Sequence, residues 1–175
     1  MVTYFVFLRA VDVKCKNSIK MAKLKQCLID NAYLKVRTFI QSGNIILQSP
    51  DQPEDIKSRI SMLIKEYFEL DSMVFMRSLA QLKALVQAFP YHTYPGNKTF
   101  LTFLSDIPSR AHCEALASAT IGEALYEIQQ DNLTSYLPEG MGTAILTNSF
   151  IEKKLQLTAT GRNLNTIQQL IALAD

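Results

Sequence analysis

Several residue types and patterns are scarce in this chain, and each scarcity excludes a class of function. Cysteine occurs only at Cys15, Cys27 and Cys113, far apart and without a Cys-x-x-Cys pair. That rules out a zinc ribbon or a redox disulfide and implies a reducing cytoplasm. Histidine occurs only at His92 and His112, so no second histidine is placed to complete a metal site. No stretch reaches the roughly 20 consecutive apolar residues that a membrane span needs. The apolar opening run ends at Arg9 and lacks the charged leader of a signal peptide. Charge of either sign is also modest, at a net +2 over 175 residues, so the polyelectrolyte attraction of a dedicated nucleic-acid binder is weak.

What is present is enough apolar material, 48% of residues, for a real core in a chain too short for two large domains. The charge is uneven. Residues 1–77 hold 12 Lys/Arg against 8 Asp/Glu, whereas residues 78–175 hold 6 against 8. Much of the surplus lies between Arg9 and Lys25, and a solvated helix face accounts for it.

Hydrophobic spacing divides the chain into a half at 1–77, a connecting helix and linker at 78–97, and a second half at 98–175. Residues 3–9 read as a strand apolar on both faces, hence central. Residues 20–32 carry Met21, Leu24, Cys27, Leu28 and Ala32 at helical spacing. Strands at 36–40 and 45–48 flank Ser42-Gly43-Asn44, where glycine and asparagine can supply positive φ. A second helix opens with Asp51 as cap, Pro53 in the first turn and Glu54 three residues after the cap. A strand at 73–76 completes a ferredoxin-like split βαββαβ unit. Ser78 and Gln81 form a capping box for a connecting helix to about Phe89.

Residues 90–97 are turn-rich and mark the joint. The second half echoes the first with a strand at 99–104, a helix at 108–118, a hairpin at 124–129 and 133–137, and a helix at 144–155. A last helix over 165–174 stands where the first half has its fourth strand. The expected fold is α+β, two halves of related topology without a residue-level repeat.

Two islands of small and amide-bearing residues are the candidate sites, Gln41-Ser42-Gly43-Asn44 and Thr160-Gly161-Arg162-Asn163-Leu164-Asn165-Thr166. A guanidinium fork beside amides and a helix start offers several donors to one anionic ligand. The same residues also fit a capped helix, with Asn163 or Asn165 as the cap. Gly140-Met141-Gly142-Thr143 precedes a helix and could aim N–H groups at a phosphate, although it lacks a P-loop lysine and also fits a plain turn. Cys15 lies between Lys14 and Lys16, which favour its thiolate, but no histidine is near in sequence. Adjacent His112 and Cys113 point about 100° apart on a helix and cannot form a catalytic pair.

The stretches Phe7-Leu8-Arg9, Val36 through Ile45 with its Gln-Ser-Gly-Asn, Leu137-Pro138-Glu139-Gly140, Glu152-Lys153-Lys154-Leu155 and Thr158 through Thr166 occur in the order of one family. On them the chain resembles domain-of-unknown-function family 1697, a family of mostly bacterial proteins. The resemblance spans nearly the full length and implies a two-part α+β body. It brings no reaction with it. The chain departs from the family pattern in three places. Ala10-Val11-Asp12-Val13-Lys14-Cys15 replaces a glycine-containing run, Ala144-Ile145 replaces Ser-Lys, and Leu164 replaces tryptophan. Lost glycines close space for a ligand, and a lost Ser-Lys pair removes a nucleophile and a cation.

The expected function is binding of a small anionic ligand between the halves by Arg9, Gln41, Ser42, Asn44, Arg162, Asn163 and Asn165. No cofactor, metal or membrane partner is expected. Alternatives are an enzyme on such a ligand that relies on positioning and oxyanion-type stabilisation, a single-stranded nucleic-acid platform using Phe5, Phe7 and Phe39, and a protein-partner module. Near-neutral charge and the apolar, buried character of the first strand disfavour the nucleic-acid reading.

Overall fold

Alternation of apolar residues sets the strands and 3.6-residue spacing sets the helices, and the computed structural model describes residues 1–9 and 19–175. The elements are β1 (Val2–Leu8), α1 (Met21–Asp30), β2 (Leu34–Phe39), β3 (Asn44–Ser49), α2 (Pro53–Phe68), β4 (Val74–Ser78), α3 (Leu79–Gln87), β5 (Thr99–Leu104), α4 (Arg110–Ala117), β6 (Leu125–Gln129), β7 (Asn132–Tyr136), α5 (Asn148–Leu155), β8 (Ala159–Asn163) and α6 (Leu164–Ala174). The protein is mixed α+β, with two four-stranded antiparallel sheets among the described residues. The chain divides into two compact units, Met1–Ala84 with Leu170–Asp175, and Leu85–Gln169.

In the first unit the sheet order is β2-β3-β1-β4, the split arrangement that the sequence predicts. β1 is central because both its faces are apolar. Tyr4, Val6 and Leu8 meet Leu24 and Leu28 of α1 and Ile56, Ile60 and Ile64 of α2 in one core, while Phe5 and Phe7 on the opposite face are fully buried as well. Each such side chain removed from water contributes about 1.5–3 kcal/mol. The start of α2 differs from expectation. Its N-cap is Gln52, without a side-chain cap bond. Asp51 instead accepts from Ser49 Oγ at 3.1 Å, and Glu54 pairs with Lys57 at 2.7 Å. A local turn bond and an i,i+3 ion pair have displaced the cap. The Ser78–Gln81 capping box forms as expected, at 2.8 and 3.2 Å.

The second sheet has the order β6-β7-β5-β8, position for position the order of the first. Its fourth strand is a correction to the sequence reading, which puts only a helix there. β8 escapes detection because Ala-Thr-Gly-Arg-Asn is small and polar, without the β-branched apolar alternation of a typical strand. It is held by its ladder to the buried β5. α5 also starts later than expected, at Asn148, where Thr147 accepts from the Phe150 N–H at 3.2 Å. Gly140-Met141-Gly142-Thr143 therefore does not adjoin a helix start. The Gly140 and Ala144 N–H groups close local turns on Leu137 and Gly140 carbonyls, which removes the phosphate-cradle reading.

Candidate functional site

The first island sits at one end of the first sheet. Phe39 pairs with Asn44, so residues 40–43 form the β2–β3 turn, and the Leu8 N–H donates to the Gly43 carbonyl at 2.9 Å. Positive φ falls on Gly43 at 75° and Ile40 at 50°, not on Asn44. Asn44 is fully buried and acts as a brace. Its Nδ2 donates to Ser42 Oγ at 2.8 Å and to the Phe39 carbonyl at 3.2 Å. Gln41 at the turn tip is exposed and Ser42 half-buried. Arg9 follows β1 at the same end. Its N–H reaches the Met73 carbonyl at 3.1 Å, and its own carbonyl accepts from Ser72 Oγ at 2.8 Å. Arg9, Gln41, Ser42 and Asn44 thus gather at one sheet end. Cys15 with its flanking lysines, and most of the Arg9–Lys25 charge run, lie outside the described residues.

The second island is the β8–α6 junction. Arg162 lies opposite Leu101 and is 9% exposed. Its Nη1 donates to Thr160 Oγ1 at 2.7 Å and to the Gly161 carbonyl at 2.8 Å. Burial pushes its guanidinium down to about 10, which leaves it cationic at neutral pH. Asn163 is the cap of α6, its Oδ1 accepting from the Thr166 N–H at 2.8 Å. Asn165 is exposed and leans over Gly96 so closely that a Cβ there would collide with its Oδ1. Leu164, at the position where the family pattern has tryptophan, packs with Phe89 and Tyr91.

The equal strand orders expose two residues that the sequence reading missed. Arg77 is the penultimate residue of β4 as Arg162 is of β8, each followed by a helix cap and a leucine. It is 8% exposed, and its Nη1 likewise donates to the preceding carbonyl, Met76, at 2.7 Å. Asn132 opens β7 opposite Phe103 as Asn44 opens β3 opposite Phe7. Its Nδ2 reaches Asp131 Oδ1 at 3.1 Å. The Leu104 N–H donates to the Asp131 carbonyl at 2.9 Å, as the Leu8 N–H does to Gly43. The visible signal was Met76-Arg77-Ser78-Leu79 against Gly161-Arg162-Asn163-Leu164. Around the arginines the units diverge, with Phe75 and Met76 in the first where the second has Thr160 and Gly161.

Other chemistry is sparse. Among the described residues no three His, Cys, Asp or Glu side chains come together as metal ligands would. The Cys27 thiol is buried, and burial, then Asp30 and Glu66, push it up and away from the reactive thiolate. His92 packs edge-on against Phe89. No helix among the described residues is long and apolar enough to cross a membrane.

The fold is similar to that of the conserved bacterial protein SP0830 from Streptococcus pneumoniae, with a TM-score of 0.79 at 17% identity, covering 99% of this chain and 98% of that one. No curated protein matches. Residues 1–133 match the family described as "Protein of unknown function (DUF1697)", and the chain belongs to that family.

Proposed function

We propose that the protein binds a small anionic molecule, with Arg162 as its main anchor. One contrast carries the reading. At equivalent strand positions a buried arginine stands beside Phe75 in one unit and beside the hydroxyl of Thr160 in the other. A hydroxyl beside the guanidinium adds a second polar group to a fork that matches carboxylate or phosphate. Asn163 and Asn165, at the same β8–α6 junction, are the further donors we assign to binding. We place the protein in the cytoplasm on its widely spaced cysteines. The base-stacking alternative is weakened because Phe5 and Phe7 are buried and Phe39 is half-buried.

The test is thermal stability against nucleotides, sugar phosphates and carboxylates at low and high salt. A ligand at 100 times its dissociation constant adds about 2.7 kcal/mol to the native state. Arg162→Met should abolish that increment and Arg162→Lys should reduce it, since the charge survives but the fork does not. Undiminished ligand response in both variants would overturn the assignment.

A further inference from the structure

We propose that the outer edge of β6 is a docking site for an extended basic segment of a partner protein, which adds as a strand to the second sheet. The site is separate from Arg162 and independent of it. Among the described residues β6 pairs only with β7 and so forms the sheet edge. The outward polar groups follow from neighbouring bonds. The Leu104 N–H bonds the Asp131 carbonyl and the Leu137 N–H bonds the Lys98 carbonyl, so odd-numbered β7 residues address β5 and even-numbered ones address β6. Through the pairs Leu125↔Tyr136, Glu127↔Thr134 and Gln129↔Asn132, it is the N–H and C=O of Tyr126 and Ile128 that face away from the sheet.

The corresponding edge strand of the first sheet is defended and this one is not. β2 has an irregular register between Leu34 and Arg37, with Lys35 at φ 48° and basic side chains along it, the usual devices against strand addition. β6 keeps an unbroken five-pair ladder and carries neither lysine nor proline.

The chemistry around the edge selects a basic occupant. Exposed Leu125 and Glu127 share a face, and Tyr136, opposite Leu125, stacks on Tyr94 at 3.8 Å between centroids. Tyr94 is 37% exposed. A lysine or arginine placed opposite Glu127 would meet a carboxylate and aromatic rings together. Just before β6, Ile121, Ala124, Leu137, Pro138 and Ile145 line a cavity of about 100 Å³ with Glu123 and Glu139 beside them. That volume holds several waters and suits an alkyl stem ending in a cation. The neighbouring cation Lys98 is already committed to the Pro138 carbonyl at 2.6 Å. A second copy of this chain fits less well, because two-fold pairing centred on β6 sets Glu127 directly against Glu127.

The experiment uses the full chain and a labelled, end-blocked peptide of alternating lysine and valine, read by fluorescence anisotropy. Two control peptides carry glutamate for lysine or N-methyl groups on alternate amides. Expected results are saturable binding of the lysine peptide, weakened roughly tenfold or more by Glu127→Lys and by peptide N-methylation, and no binding of the glutamate peptide. Glu127 is exposed, so its variant should fold, and circular dichroism checks that it does. Absent binding, or binding indifferent to both N-methylation and Glu127→Lys, would overturn the proposal. So would a doubling of mass in light scattering that β6 variants abolish, which would give the edge to a second copy.

Discussion

Gly161→Ala should destabilise the protein through contacts that are visible residue by residue. A Cβ on Gly161 would lie 2.9 Å from Asn148 Oδ1 and 3.0 Å from Thr102 Oγ1, both short of ordinary van der Waals contact. Thr102 is paired across the ladder with Gly161 and is 1% exposed, so it has little room to yield. Gly161 does not have a positive φ, so alanine would lower the unfolded chain's entropy and return about 0.4–1 kcal/mol. Overpacking costs about 1–3 kcal/mol, which leaves a net loss of up to about 2.6 kcal/mol. Asn148 supplies the internal control. Its Oδ1 is buried without a hydrogen-bond partner, so Asn148→Ala should be near neutral or stabilising. In that background Gly161→Ala should cost less, with a coupling of about 0.5–1 kcal/mol, and Thr102 keeps the relief partial. Denaturant unfolding of the four proteins measures the cycle. Additivity within about 0.3 kcal/mol, or a Gly161→Ala protein more stable than the parent, would refute the packing argument.

Asn163→Ala removes the 2.8 Å cap bond to the Thr166 N–H and should cost about 1 kcal/mol in denaturant unfolding, whereas Asn163→Asp should keep the cap and gain from the helix dipole. Ile60→Ala empties a fully buried position under the first sheet and should cost about 2–5 kcal/mol by the same assay. Burial, then Glu127 and Tyr94, push the Tyr91 hydroxyl from 10.0 up to about 12. The native state therefore holds this proton more tightly, so its stabilising effect is complete below pH 10 and is lost as pH rises towards 12. Tyr91→Phe should flatten that alkaline limb in unfolding measured across the window.

The first unit was readable because its signals are redundant. β1 is apolar on both faces, α1 and α2 repeat apolar residues at helical spacing, and Ser78 with Gln81 writes a complete capping box. The second unit is harder to read where its strands trade hydrophobicity for polar character. β8 draws its order from hydrogen bonds to Phe100 through Leu104 and not from its own composition, so only tertiary context identifies it as a strand. The caps at Asp51 and Asn163 show the same limit from another side. Both residues are suited to the role, and only neighbouring groups decide, since Ser49 engages Asp51 while Asn163 Oδ1 accepts from the Thr166 N–H. Arg77 carries no signal in the sequence because a single arginine at a strand end is ordinary. It becomes informative only when its counterpart occupies the same place in a second sheet of the same order.

That equivalence separates a structural role from a functional one. If both arginines serve only to brace a strand end, Arg77→Met and Arg162→Met should shift stability alike, because each side chain is about nine-tenths buried and each donates to the carbonyl before it. Replacing a buried charge by an apolar side chain of similar volume is often neutral or stabilising, by up to about 1–4 kcal/mol. The surroundings predict a difference. Methionine at position 77 would share its strand face with Phe75 and lie opposite Phe5, whereas at position 162 it would strand the buried Thr160 hydroxyl that now accepts from Arg162 at 2.7 Å. Leaving a buried polar group without its partner costs about 1–3 kcal/mol. Arg162→Met should therefore be the less stable variant by about that amount, and adding Thr160→Val should restore much of the loss. Ligand response gives the second readout, because Arg77→Met should retain any anion-induced rise in melting temperature and the Arg162→Met, Thr160→Val protein should lack it despite its recovered stability. Equal stability losses at the two positions, together with equal ligand responses, would reduce both arginines to braces and remove the basis for treating the second unit's junction as the binding site.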